Sequence, residues 1–128
     1  FLNSSNIVIG MSGGEGWGLP EFQSTALGKH AVILDAPGYQ EWANEKNAVM
    51  IKPDGKEEAA DGIFFNKGGA FNQGNNEDEF IAGCEQAVER YKSSPVNTEG
   101  LKLQDEFTYE KTVKSITDIM QSQGEINA

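Results

Sequence analysis

The residues best suited to chemistry lie in one short stretch, Gly13-Gly14-Glu15-Gly16-Trp17-Gly18-Leu19-Pro20-Glu21-Phe22-Gln23. A glycine-rich loop feeding a helix N-terminus is a ready anion site. Backbone N–H groups point outward there, and the helix dipole adds partial positive charge. Neither Gly18 nor Leu19 offers a capping oxygen, so the orphan N–H groups of the first turn are open to a ligand. Glu15 would repel a diphosphate beside it. A carboxylate does accept hydrogen bonds, and sugar hydroxyls donate them. Gly14 and Gly16, on either side of Glu15, let the backbone come close to a hydroxylated ring. The loop suits a ligand with phosphate at one end and sugar at the other.

The familiar phosphate motifs do not fit. Gly14, Gly16 and Gly18 alternate and break the G-x-G-x-x-G register. Gly28-Lys29 is followed by His30, and no glycine stands five positions before Gly28, so a Walker A loop is excluded.

The elements that must position this loop follow from short apolar runs. Ile7-Val8-Ile9, extended to about Met11, reads as a buried parallel strand, as do Ala31–Leu34 and Ala48–Ile51. Pro20 presets a helix start, and Gly28 ends that helix near Leu27. Tyr39 to Ala43 reads as a short helix after the Ala36-Pro37-Gly38 turn. Alternating strands and helices with short loops imply an α/β fold, a partial Rossmann-like parallel sheet with flanking helices. Residues 1–53 form this core of a single partial domain. Residues 54–76 contain five glycines and four asparagines without a helical or alternating period, so they read as an irregular excursion anchored by Phe64, Phe65 and Phe71. Residues 77–128 read as C-terminal helices. Asn76 or Asp78 caps one to about Lys92, and another runs from Tyr109 to Gln121 with Tyr109, Val113, Ile116 and Met120 on one face.

Composition narrows the function. The chain has 128 residues and a net charge of −10, which argues against a nucleic-acid or anionic-membrane binder. No apolar run approaches the roughly 20 residues of a transmembrane helix. Cys84, the single cysteine, cannot form an internal disulfide, so a reducing, cytoplasmic setting is the simplest expectation. It lies on an apolar helical stripe and reads as a core residue. The acidic run from Asp78 reads as a helix start, not a metal site. The chain begins at Phe1 and offers few strands for such a sheet, so the reading expects a piece of a longer chain.

Glu15-Gly16-Trp17-Gly18-Leu19-Pro20, then Ala26-Leu27-Gly28-Lys29, a strand and Glu41, together resemble one family. It is that of the retaining GT-B-fold nucleotide-sugar glycosyltransferases with the E-x7-E motif, the group 1 glycosyltransferases. The resemblance runs from Asn6 to Pro53, and Phe107-Thr108-Tyr109 is similar to the opening of the family's closing helix. It implies the second half of a C-terminal domain, whose active site lies in a cleft shared with the N-terminal part of the parent chain. It further implies a transferase moving sugar from a nucleotide sugar to an unknown carbohydrate or other acceptor, with retention and without a separate cofactor or metal.

By this resemblance Glu15 is the catalytic residue, touching donor-sugar hydroxyls. Gly16, Trp17 and Gly18 match the loop lying against the sugar, and Leu19 and Pro20 the turn beside the diphosphate. The second motif glutamate, which binds the ribose diol, falls at Gln23, whose amide accepts from one hydroxyl and donates to another. Glu41 gains a place near the donor. The paired Arg and Lys that neutralise the diphosphate have no match here, so this stretch alone is expected to be inactive. Two alternatives stand beside the transferase: a non-catalytic carbohydrate- or nucleotide-binding module, favoured by Gln23, and a nucleotide-sugar epimerase. Trp17 buries its ring either under the sugar or in the core, Trp42 reads as core, and His30 as structural.

Overall fold

The computed structural model describes residues 1–60, 62–63 and 71–124. Three parallel strands, β1 (Ile7–Gly10), β2 (His30–Leu34) and β3 (Val49–Ile51), form a sheet in that order. Ile7 pairs with His30 and Gly10 with Ile33, while Val32 pairs with Val49 and Leu34 with Ile51. All five residues of β2 are buried. Successive side chains of a strand point to opposite faces, so a wholly buried strand needs cover on both. Helix α2 (Glu77–Ser93) covers the face of Val49 and Ile51, and its Gly83 leaves no space for a side chain against Ile51. On the other face, Ile33 meets the Gly10 position together with Glu21 of α1 (Leu19–Ala26) and Tyr39. The expected Rossmann-like α/β arrangement is present in this coarse form.

The helix boundaries follow local signals. Gly18 caps α1, Pro20 lies in its first turn, and Leu27 closes it before Gly28. The Asn76 side chain caps α2, accepting from the Asp78 N–H at 2.9 Å and the Glu79 N–H at 3.2 Å. Glu77, Asp78 and Glu79 occupy the positive end of its dipole, and Arg90 and Lys92 the negative end. Cys84 packs against the core, and burial pushes its thiol pKa up.

Four expectations need correction. The 54–76 segment contains an antiparallel hairpin, β4 (Pro53–Glu58) and β5 (Phe71–Asn75), with a register irregularity between Pro53 and Lys56. Backbone pairing builds it where side-chain alternation gives no signal. Phe71 does not anchor it, being 61% exposed, and Phe64 and Phe65 lie outside the described residues. The Tyr39–Ala43 helix is a single 3₁₀ turn, Tyr39–Glu41. β1 is only partly buried, with Ile9 half exposed, because among the described residues it pairs on one side alone. Two short helices, α3 (Thr98–Leu101) and α4 (Leu103–Glu106), precede the last helix, α5 (Tyr109–Gly124). On α5 the stripe Tyr109, Val113, Ile116 and Met120 is exposed.

Asn97 ties the C-terminal helices to the sheet. Its Nδ2 donates to the carbonyls of Lys29 at 3.0 Å and Asn47 at 2.7 Å, and its Oδ1 accepts from the Gly100 N–H at 3.0 Å. Asn97→Ala removes a cap and strands two carbonyls, so chemical denaturation should show a loss of roughly 2–4 kcal/mol. Ser24 presents the opposite case, since its Oγ is buried without a hydrogen-bond partner. Ser24→Ala removes that unpaired hydroxyl and improves helix propensity, so the same measurement should show a gain of roughly 0.5–1.5 kcal/mol.

Candidate functional site

The glycine loop leaves the C-terminal end of β1 and enters α1, the position where open α/β sheets bind ligands. Gly18 has a φ of +72°, a left-handed conformation that L side chains rarely adopt, and it rests on the ring of Tyr39 where a side chain has no room. No side-chain oxygen caps α1 there.

Aromatic packing fixes the loop from below. Trp42, 3% exposed, donates its indole N–H to the Trp17 carbonyl at 2.8 Å. The Trp17 ring stands edge-on to Phe22 at 5.6 Å and to Phe107 at 5.3 Å, and Phe22 meets Trp42 at 5.6 Å. Such pairs add about 0.5–1.5 kcal/mol each beyond area burial. Trp17 therefore belongs to the packing beneath the loop, and Trp42 is core as expected.

Tyr39 is the electrostatic centre of the region. Its hydroxyl is pushed up to about 12, first by burial and then by the carboxylates of Glu21 and Glu15, while a hydrogen bond from the Ser12 backbone opposes the rise. Tyr39 is thus neutral across the physiological range, between two carboxylates and under the loop.

The β4–β5 hairpin approaches the loop from the other side. The Gln73 N–H donates to the Gly13 carbonyl at 3.0 Å. Gly13 lies so close to the Gln73 backbone that no side chain fits between them. The Asn72 amide oxygen stands 2.8 Å from where a Gly14 side chain would begin. Between loop and hairpin is a cavity of about 430 Å³, with Ser12, Gly13 and Gly14 on one side and Glu58, Ala59 and Asn72 on the other.

The expected site residues divide by position. Gly14, Glu15, Gly16, Leu19 and Pro20 are exposed along the loop and the helix start, and Gly18 is buried on Tyr39. Glu41 is exposed on the 3₁₀ turn that supplies Tyr39. The Glu15 carbonyl lies against Gly38, just before that turn. Gln23 is set apart from this group. It stands two positions after Glu21, about 200° around a helix, so the two side chains leave on opposite sides. Glu21 folds back against Gly10 and Gly18. Gln23 instead lines a mostly apolar groove of about 480 Å³ with Leu2, Phe22, Leu27, Leu103 and Phe107.

Sequence reasoning gives no site role to Glu21, Tyr39 or Asn72. Glu21 carries one weak signal, an acidic residue in the first turn of the helix leaving the loop. Tyr39 and Asn72 carry none, because tertiary packing alone brings them to the loop. A larger cavity of about 570 Å³ surrounds His30 and Arg90 near the start of β2, away from the loop. Its polar groups serve structure: His30 Nε2 pairs with the Ser94 carbonyl at 2.7 Å, and Arg90 donates to the Ala48 carbonyl at 3.0 Å. Among the described residues no group of three metal-ligating side chains converges.

Comparison of the sequence with models of known protein families and with curated proteins returns no match.

The raised Tyr39 pKa has a signed consequence. The unfolded chain ionises this phenol near 10 and the folded chain near 12, so above pH 10 the unfolded state gives up the proton first. The Tyr39 contribution to stability is fully present below pH 10 and is lost as the pH rises toward 12, by roughly 2 kcal/mol. Denaturation curves against pH should show this loss in the native chain and not in Tyr39→Phe. At neutral pH that variant should itself be roughly 1–2 kcal/mol less stable, because the Ser12 N–H loses its partner.

Proposed function

We propose that this chain is the donor-binding part of a glycosyltransferase that moves a sugar from a nucleotide sugar to an acceptor, with retention, as in the GT-B family that the loop resembles. One observation carries the reading: Glu15-Gly16-Trp17-Gly18-Leu19-Pro20 lies on the connection from a parallel strand to a helix start that no side chain caps. In this reading the diphosphate lies at the start of α1, held by backbone N–H groups and the helix dipole. Glu15 accepts from the sugar hydroxyls and is the catalytic residue. Gln23 takes a ribose hydroxyl, and the apolar groove beside it covers one face of the nucleoside. Glu41 stands at the outer edge of the donor.

The placement of Glu21 favours a second reading. Its carboxylate lies over Gly18 and adds negative charge beside the proposed diphosphate position. That suits a non-catalytic module binding a neutral saccharide at the same loop. Nothing observed favours an epimerase over either.

Calorimetry separates the two readings. Under the transferase reading the chain binds UDP-glucose or GDP-mannose more tightly than the matching free sugar. Glu15→Ala then weakens the intact donor while leaving the nucleoside diphosphate nearly unchanged, because Glu15 faces only the sugar. Gln23→Ala weakens the diphosphate itself by about two- to twelvefold, the value of one neutral hydrogen bond. Equal loss of bare diphosphate in both variants overturns the division. Absence of nucleotide binding alongside sugar binding that Glu15→Ala abolishes selects the module.

A further inference from the structure

We infer that the cavity between the glycine loop and the β4–β5 hairpin is a binding site for a neutral polyhydroxylated ligand, a saccharide, separate from the helix end where the donor diphosphate is proposed. The ligand class follows from the walls. Among the described residues no lysine or arginine lines the cavity, whereas Glu58 does, which disfavours an anion. A carboxylate accepts hydrogen bonds without donating, and the Asn72 amide and Ser12 hydroxyl do both. These are partners for hydroxyl groups, each of which donates and accepts. The remaining wall is glycine backbone and alanine, which admits a ring at close range. A volume of about 430 Å³ falls in the ordinary range for small-molecule sites.

One further feature supports the assignment. The hairpin is held to the loop, since the Gln73 N–H bonds to the Gly13 carbonyl. The site's two walls are thus coupled by backbone, with Gly14 between this cavity and Glu15. Ligand class does not depend on the transferase reading. The ligand's role does rest on that reading, in which it is the acceptor, brought within one residue of the catalytic carboxylate.

The test is amide-resolved NMR titration of the isotope-labelled chain, without nucleotide. The probes are methyl glucoside, methyl mannoside, inorganic phosphate and putrescine. One or both glycosides should produce saturable shifts at Ser12, Gly14, Ala59 and Asn72, with millimolar affinity. Phosphate and putrescine should leave these amides unmoved. Asn72→Ala and Glu58→Gln are exposed substitutions on the hairpin, and each should weaken glycoside binding by about two- to twelvefold. Saturation by putrescine alone would make this a cation site and overturn the inference. So would glycoside shifts confined to Glu15–Glu21, undiminished binding in both variants, or no saturable shift with either glycoside. Because nucleotide is absent, failure of the transferase reading leaves this result untouched, and failure here leaves the calorimetric test of the donor loop intact.

Discussion

Complete burial of β2 is the constraint from which the rest of the structure follows. Five consecutive residues, His30 to Leu34, have no solvent-facing side. Two layers of cover are then obligatory, and the chain supplies them with α1 before the strand and α2 after β3. The crossover through α1 brings the chain back parallel to β1. A parallel pair places the strand-to-helix turn at the strands' C-terminal end, and here that turn is the glycine loop. Its position is thus a result of burying Val32, Ile33 and Leu34, independent of any ligand.

Within that frame, small residues are used where backbone segments crowd. Gly18 rests on Tyr39, Gly13 against Gln73, and Gly83 against Ile51. The loop is pinned by an aromatic layer beneath and a hairpin above, so Glu15 stands exposed on a packed base. Tyr39 stays neutral between Glu15 and Glu21, which keeps a third negative charge out of a region that already holds two.

Much of this architecture is legible in the sequence, for identifiable reasons. The β-branched runs announce the strands, Pro20 and Gly28 bracket α1, and Asn76 or Asp78 offers a cap for α2, of which the structure uses Asn76. Each is a local signal with a local cause. The hairpin is not legible, because Asp54-Gly55-Lys56-Glu57-Glu58 and Phe71-Asn72-Gln73-Gly74-Asn75 lack alternation and are held by main-chain pairing. The helices α3 and α4 are too short to show a period, although Asn97 marks their start. The candidate site divides likewise. The loop string is readable because its residue types and spacing carry the chemistry. The neighbours Tyr39, Glu21 and Asn72 are not, because their relation to the loop exists only after packing.

The Asn97 contacts bear on the order in which the chain assembles. Its two donor bonds close loops of 68 and 50 residues, to Lys29 and Asn47. Contacts of such separation cost chain entropy before they return any enthalpy, and they slow folding. The amide can be satisfied only when the ends of α1 and β3 are already in place. Docking of α3 and α4 through Asn97 is thereby coupled to formation of the sheet. A nascent chain that has not yet reached Asn97 leaves the carbonyls of Lys29 and Asn47 without this partner, so the sheet gains its full stability only once Asn97 has emerged.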